Sequence, residues 1–169
     1  FNVFGRSRKA IYENQELYNI MVALGLENGD LDNLRYSKVV IATDADVDGY
    51  HIRNLLMTYF ITFFEDLVTS GRVFILDTPL FRVRNKKVTV YCYSEKEKDA
   101  ALEQIKSPEV TRFKGLGEIS PSEFGQFIGE DIKLIPVTID SMTQVRQKME
   151  FYMGNNTPER REYIMENLR

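Results

Sequence analysis

Lys38-Val39-Val40-Ile41-Ala42-Thr43-Asp44-Ala45-Asp46-Val47-Asp48-Gly49-Tyr50-His51-Ile52-Arg53 decides the fold. Lys38–Thr43 is a short β-branched run, the pattern of a strand buried on both faces. Asp44–Gly49 follows as an acidic turn. Beyond it Ile52, Leu55, Leu56, Tyr59, Phe60, Phe63, Phe64, Leu67 and Val68 recur at steps of three and four. That spacing predicts one amphipathic helix, ended by Gly71. Val73–Leu76 is a second buried strand. Strand, turn, helix and strand make a βαβ unit, which implies a parallel sheet.

Upstream, Ile11, Leu17, Ile20, Met21 and Leu24 predict a helix over Ala10–Leu24, with Gly25 as its stop. Glu27–Arg35 is polar and reads as a loop. Downstream, Leu80–Arg84 and Lys87–Tyr93 alternate around Asn85-Lys86, which predicts a hairpin. Ser94–Ile105 is charged and reads as helix, and Lys106-Ser107-Pro108 breaks it. Lys114–Glu118 is a glycine-containing loop before a helix start at Ser120-Pro121-Ser122-Glu123. Leu134–Ile139 reads as a strand. Met142, Val145, Met149 and Tyr152 form a helical stripe, and Thr157-Pro158-Glu159 opens a last helix with Pro in its first turn. The sequence carries no internal repeat and no low-complexity stretch.

A length of 169 residues suits one domain, or one domain with an appendage. With 43% hydrophobic and 28% charged residues, the chain reads as soluble and globular, able to bury a core without staples. A formal net charge of -3 argues against a simple cationic nucleic-acid binder. It leaves room for a DNA enzyme whose site is acidic because it holds metal. Cys92 is the only cysteine, so disulfides are absent and a reducing compartment fits. Neither a signal peptide nor a membrane-spanning apolar run is visible. The opening Phe1-Asn2-Val3-Phe4 has no initiator Met, and the chain is expected to be an excised piece of a longer protein.

Asp44, Asp46 and Asp48 stand two residues apart directly after a strand, where open α/β sheets bind ligands. Three carboxylates packed so closely repel one another, and a hard cation such as Mg²⁺, Mn²⁺ or Ca²⁺ relieves that repulsion. The bland alternative is a solvated turn, with Asp48 capping the helix that follows. An EF-hand loop opens with the same Asp-x-Asp-x-Asp-Gly pattern. It requires a Glu at its twelfth position, where this chain has Leu55, and a preceding helix, where it has a strand. A haloacid-dehalogenase-type phosphatase also begins with Asp-x-Asp after a strand, and this pattern alone does not separate it. A non-catalytic divalent-metal-binding module is the third alternative.

Thr43–Arg53 is similar to the Asp-x-Asp signature of the TOPRIM domain in the B-type subunits of bacterial type IIA DNA topoisomerases, gyrase B and topoisomerase IV B. Thr111-Arg112-Phe113-Lys114-Gly115-Leu116-Gly117-Glu118 resembles that family's second hallmark. Tyr152-Met153-Gly154 followed by Pro158-Glu159-Arg160-Arg161 resembles its closing segment. The three motifs occur in family order and span nearly the whole chain. The resemblance implies an α/β TOPRIM fold, a Rossmann-like parallel sheet, over residues 1–93. A mostly helical C-terminal segment of the B-type subunit would follow over 94–169. Two departures stand out. The family's Glu-Gly-Asp-Ser-like motif, which carries a catalytic Glu on an earlier strand, does not occur here, so no catalytic residue is expected in this chain. Position 50, often small in the family, is Tyr50.

The resemblance assigns roles residue by residue. Asp44 would touch both metal positions and Asp46 the second, with Asp48 shaping the rim. Mg²⁺ is the implied ion, with Mn²⁺ or Ca²⁺ as substitutes, and ATP would be bound only by the full-length subunit. Two nearby metals act on the oxygens of an in-line phosphoryl displacement. The attacking Tyr would come from an A-type partner in an A2B2 heterotetramer, so none of the nine tyrosines here needs that role. Double-stranded DNA is the implied substrate, in the cytoplasm at the nucleoid, with no membrane partner. Asn2, His51, Lys114 and Arg160 are the implied DNA contacts. His51 would sit at a helix N-terminus, which suits a phosphate, and Lys114 in a Gly-flanked loop. Arg82, Arg84, Lys86 and Lys87 make a basic hairpin that serves equally as a solvated, aggregation-blocking edge. The motifs do not separate gyrase from topoisomerase IV.

Lacking the Glu motif, the nucleophile and the ATPase, the purified chain is expected to relax no supercoiled DNA. A gel assay of topoisomer distribution checks this, and relaxation by contaminant-free chain would overturn the assignment.

Overall fold

The computed structural model describes residues 1–130 and 132–168. The elements run α1 (Lys9–Glu13), α2 (Gln15–Leu24), β1 (Val39–Ile41), α3 (Val47–Phe63), α4 (Glu65–Thr69), β2 (Val73–Leu76), β3 (Phe81–Arg84) and β4 (Thr89–Cys92). Then come α5 (Glu95–Gln104), β5 (Glu109–Arg112), a short 3₁₀ turn at Leu116–Glu118, α6 (Pro121–Phe127), β6 (Leu134–Pro136), α7 (Met142–Met153) and α8 (Thr157–Asn167). The expected α/β class holds. Two compact units form from interleaved stretches: residues 1–39, 54–73 and 136 onward in one, residues 40–53 and 74–135 in the other.

Two of the predicted helices divide. The single helix expected over Ala10–Leu24 is two, because Asn14 leaves helical geometry and its side chain accepts the Leu17 amide at 3.0 Å. Asn gains more as an N-cap than inside a helix. Gly25 ends α2 in the left-handed region at φ 78°, its amide shared between the Met21 and Val22 carbonyls. The long helix also breaks, at Phe64 (φ -139°), and resumes as α4. Phe64 is buried there edge-on to Tyr59, with ring centroids 5.4 Å apart, so core packing overrides the continuous periodicity. Within the same unit the Tyr59 hydroxyl donates to the Leu17 carbonyl at 3.0 Å, and burial pushes its pKa up.

Strands β1, β2 and β6 form one sheet in that order. The Val39 amide donates to the Arg72 carbonyl at 2.7 Å. Val137 donates to Val73 at 2.9 Å and Asp77 to Lys133 at 3.0 Å, so residue numbers rise on β2 as they fall on β6. That pairing is antiparallel, so the sheet is not parallel throughout as expected. The run Lys38–Thr43 shortens to Val39–Ile41, and Val40 is 39% exposed rather than buried on both faces.

The second sheet, ordered β4-β3-β5, is antiparallel throughout, with Phe81 opposite both Cys92 and Arg112. The β3–β4 hairpin turns at Asn85, whose side chain accepts the Lys87 and Val88 amides at 2.8 and 2.9 Å. Phe81, Val83, Cys92, Ala101 and Ile105 pack this sheet against α5. Strand β5 has no signature in the sequence, since Glu109, Val110 and Arg112 are exposed and leave no burial alternation to read.

Glu123 ties this unit's polar side together. Ser120 and Glu123 form a capping box on α6. The Glu123 carboxylate also accepts from Arg82 Nη1 at 2.5 Å and from the Tyr91 hydroxyl at 3.0 Å. The Arg82 guanidinium first, then the Ser120 hydroxyl, hold its pKa down at about 2. A depressed carboxylate stabilises the fold above its ordinary pKa of 4.5, and that contribution fades as pH falls toward 2. Glu123→Gln is expected to cost about 2 kcal/mol at pH 7. Thermal unfolding of both proteins from pH 7 to 2 should show the gap closing below pH 4.5. A gap of constant size would mean that Glu123 acts through shape rather than charge.

Candidate functional site

The acidic turn is built around a close backbone approach. A Cβ on Gly49 would stand 2.0 Å from the Asp44 carbonyl oxygen and 3.0 Å from its Cα, so only glycine fits. The turn thereby folds back on itself and starts α3. Asp46 caps that helix, its Oδ1 accepting the Gly49 amide at 2.7 Å. Asp48, the residue the sequence offers as the cap, lies instead one residue inside α3, exposed, where its charge complements the helix dipole.

Asp44 reaches the other hallmark segment. Its Oδ1 accepts the Leu116 amide at 2.7 Å, and a Cβ on Gly115 would lie 3.3 Å from its carboxylate. The Lys114–Glu118 loop is itself closed by Glu118, which accepts the Lys114 amide at 2.7 Å while its own amide donates to Gly115 at 3.1 Å. Two motifs separated by 72 positions therefore meet through one carboxylate, within one compact unit.

Asp44 and Asp46 each commit one oxygen to a backbone amide, and a carboxylate has a second oxygen with free lone pairs. This hard, anionic donor set fits Mg²⁺ or Mn²⁺. Among the described residues no group of three or more His, Cys, Asp or Glu side chains is gathered as a metal cluster. Asp48 follows Asp44 and Asp46, on the first turn of α3. The EF-hand alternative fails here too, since β1 precedes the turn and Leu55 lies within α3.

His51 is exposed in α3, two residues beyond Gly49. Tyr50 is 44% exposed, and the Arg53 guanidinium lies over its ring, 5.1 Å from the centroid. Arg53 Nε is buried without a hydrogen-bond partner among the described residues. Asp77 escaped the sequence reading, although it directly follows β2 and the strand-end rule points to it. Burial raises its pKa, and Lys133 and Arg53 pull it back down.

Two of the expected DNA contacts, Arg160 and Asn2, bond to the end of a helix. Arg160 Nη1 donates to the Phe151, Tyr152 and Gly154 carbonyls at 3.1, 3.2 and 2.7 Å, closing the C-terminus of α7. Asn2 Nδ2 donates to the Met153 carbonyl at 2.7 Å, and its Oδ1 accepts the Phe4 amide. In the other unit Lys114 is exposed. The hairpin arginines are paired, Arg82 with Glu123 and Arg84 with Glu109 at 3.0 Å, while Lys86 and Lys87 stand exposed in the turn.

Residues 11–78 match the family model of the Toprim domain, and residues 105–165 that of the DNA gyrase B subunit, carboxyl terminus. The chain is 62% identical to the B-type subunit of DNA topoisomerase 4 from Borreliella burgdorferi, over 99% of this chain and 28% of that protein. It is 36% identical to the B-type subunit of DNA gyrase from Archaeoglobus fulgidus, over 97% of this chain and 27% of that one. It thus spans just over a quarter of these curated relatives. The crystal structure of the Plasmodium falciparum topoisomerase II DNA-binding, cleavage and re-ligation domain superposes with a TM-score of 0.81 at 25% identity, covering 100% of this chain and 24% of that one. No helix among the described residues is long and apolar enough to cross a membrane.

The two glycines that face Asp44 should differ sharply in tolerance. Gly49→Ala meets backbone and is expected to cost about 3 kcal/mol. Gly115→Ala meets only the Asp44 carboxylate, at 3.3 Å, where a shift of a few tenths of an ångström relieves the contact, and should cost about 1 kcal/mol or less. Urea unfolding of both variants checks this, and equal costs would show that the Asp44–Gly49 turn is free to relax.

Proposed function

From its membership of the Toprim and gyrase B carboxyl-terminal families, to which this chain belongs, we propose that it is the metal-binding part of the B-type subunit of a type IIA topoisomerase. The complete subunit, with an A-type partner in an A2B2 assembly, cleaves and religates duplex DNA and so changes its topology. It works in the cytoplasm, on nucleoid DNA. ATP is handled by parts of the subunit outside this chain. The observation that carries this function is the 2.7 Å hydrogen bond from the Leu116 amide to Asp44, which unites the acidic turn with the Lys114–Glu118 loop. We put the division between the TOPRIM part and the C-terminal segment at residue 93; the family matches, which end at 78 and begin at 105, are compatible with it. Identity of 62% to a topoisomerase 4 relative, against 36% to a gyrase relative, favours topoisomerase IV.

Asp44 and Asp46 would hold a divalent ion, Mg²⁺ by the chemistry of their oxygens, with Asp48 at the rim. A bound ion of this kind supplies Lewis-acid stabilisation of charge on phosphate oxygens. The chain's own residues do the rest. The Leu116 amide fixes the Asp44 carboxylate, and the Gly49 amide fixes Asp46, so neither needs to be ordered when DNA arrives. Lys114 and His51 meet the DNA backbone, Lys114 as a point charge and His51 beside a helix N-terminus. Asn2 and Arg160 act at one remove, holding the end of α7 from which any DNA contact of theirs would be made.

Asp46→Asn keeps the helix cap, since an amide oxygen also accepts the Gly49 amide, but removes the charge. In the complete subunit with its partner it is expected to slow DNA cleavage by about a hundredfold or more, a loss of several kcal/mol of charge stabilisation, while ATP hydrolysis is nearly unchanged. Parallel measurement of linear DNA formed and phosphate released checks this. A matching fall in both activities would mean that Asp46 matters only for folding.

A further inference from the structure

A groove of about 470 Å³ lies beside the acidic turn and shares Asp46 with it. Its walls include Val47 and Tyr50 from the start of α3, Leu80 next to β3, and Phe113. Arg112 and Lys114 bring positive charge to the same groove. Its volume lies within the range of small-ligand sites, roughly 300–1,000 Å³. Val47 is 78% exposed and Tyr50 44%, so apolar surface stands in water next to charged groups. Glu95 also lines the groove, but it is hydrogen-bonded to Lys98, which offsets its charge.

Tyr50 is held in place. The Arg53 guanidinium stacks over its ring, and the Tyr50 amide donates to the Asp46 carbonyl at 2.9 Å, locking the backbone into the capped first turn. A fixed, exposed ring therefore stands within four residues of Asp46, in a groove that also holds a lysine. An anion with a weakly polar body suits this combination, because the ring packs against the body by apolar contact and the cation takes the charge. Within a DNA strand that unit is one nucleotide.

We propose that this groove is a subsite for one nucleotide of the bound DNA, its deoxyribose against the Tyr50 ring and its phosphate on Lys114. The subsite presupposes the DNA-cleavage role proposed above and adds Tyr50 to it as a binding residue. Arg53 is a positioning residue that acts through the Tyr50 ring.

The test uses the complete subunit with its A-type partner and magnesium. Wild type, Tyr50→Phe and Tyr50→Ser are compared on duplexes in which single nucleosides are replaced, one position at a time, by a three-carbon spacer. Tyr50→Ser is expected to weaken binding of intact DNA about tenfold without changing the salt slope, because a ring releases no counterions. Tyr50→Phe keeps the ring and should stay within about twofold of wild type. At one spacer position wild type should lose about tenfold while Tyr50→Ser loses almost nothing further, since side chain and sugar are then two halves of one contact. Spacer effects of equal size in wild type and Tyr50→Ser at every position would overturn the subsite. Failure of the wild-type assembly to cleave intact DNA would instead overturn the underlying function, which the same experiment reads separately.

Discussion

One carboxylate organises the acidic end of this protein. The Asp44 carbonyl presses so near Gly49 that no other residue fits there, and the Asp44 side chain takes up the Leu116 amide at 2.7 Å. The first contact sets where α3 begins. The second sets where the Lys114–Glu118 loop lies. If Asp44 moved, the helix start with its Asp46 cap and the loop with its lysine would lose their common reference. The constraint is steric on one side and polar on the other. Glycine removes the steric obstacle, and a buried or half-buried amide needs an acceptor.

The same economy explains how closely spaced aspartates coexist. Two of them meet backbone N–H groups, whose partial positive charge offsets the carboxylate's own. The third rides on the first turn of a helix, whose dipole also favours an anion there. Each negative charge thus has its own local partner within the fold. The turn can be ordered by the protein alone, while the second oxygens of Asp44 and Asp46 stay chemically suited to a hard cation.

Much of this was legible from residue order. The strand before Asp44, the start of the helix after it, the Asn85 turn and the helix start at Ser120–Glu123 each follow a local rule, and each is found near where that rule puts it. Local rules failed where two of them competed or where none applied. Asn14 sits in a helical pattern, yet caps better than it propagates, so one helix became two. Phe64 obeys the periodicity of its helix but is claimed by the core around Tyr59. β5 is an exposed strand whose only reason to be extended is the neighbouring β3, and pairing of that kind leaves no trace in a single segment. The carboxylates of the candidate site were visible as a cluster. Their division of labour was not, because it depends on an amide 72 positions away. Arg160 also has a partner set hidden from the sequence. Its charge suggested an outward role, and the three carbonyls around it add an inward one that residue order does not show.

The interleaving of the two units also dictates an order of assembly. Every stretch of the unit that holds Asp44 and Lys114 has been synthesised once residue 135 is made. The other unit draws on residues 1–39, 54–73 and everything from 136 onward, and its clasp from Asn2 to Met153 joins positions 151 apart. Such a contact closes a very long loop, and its entropic cost is met only when both ends are available. On a ribosome the acidic turn and its loop can therefore mature while the other unit still waits for its last stretch of chain. The apolar faces of α2 and α3 are then the surfaces a nascent-chain chaperone would have to shield in the interval.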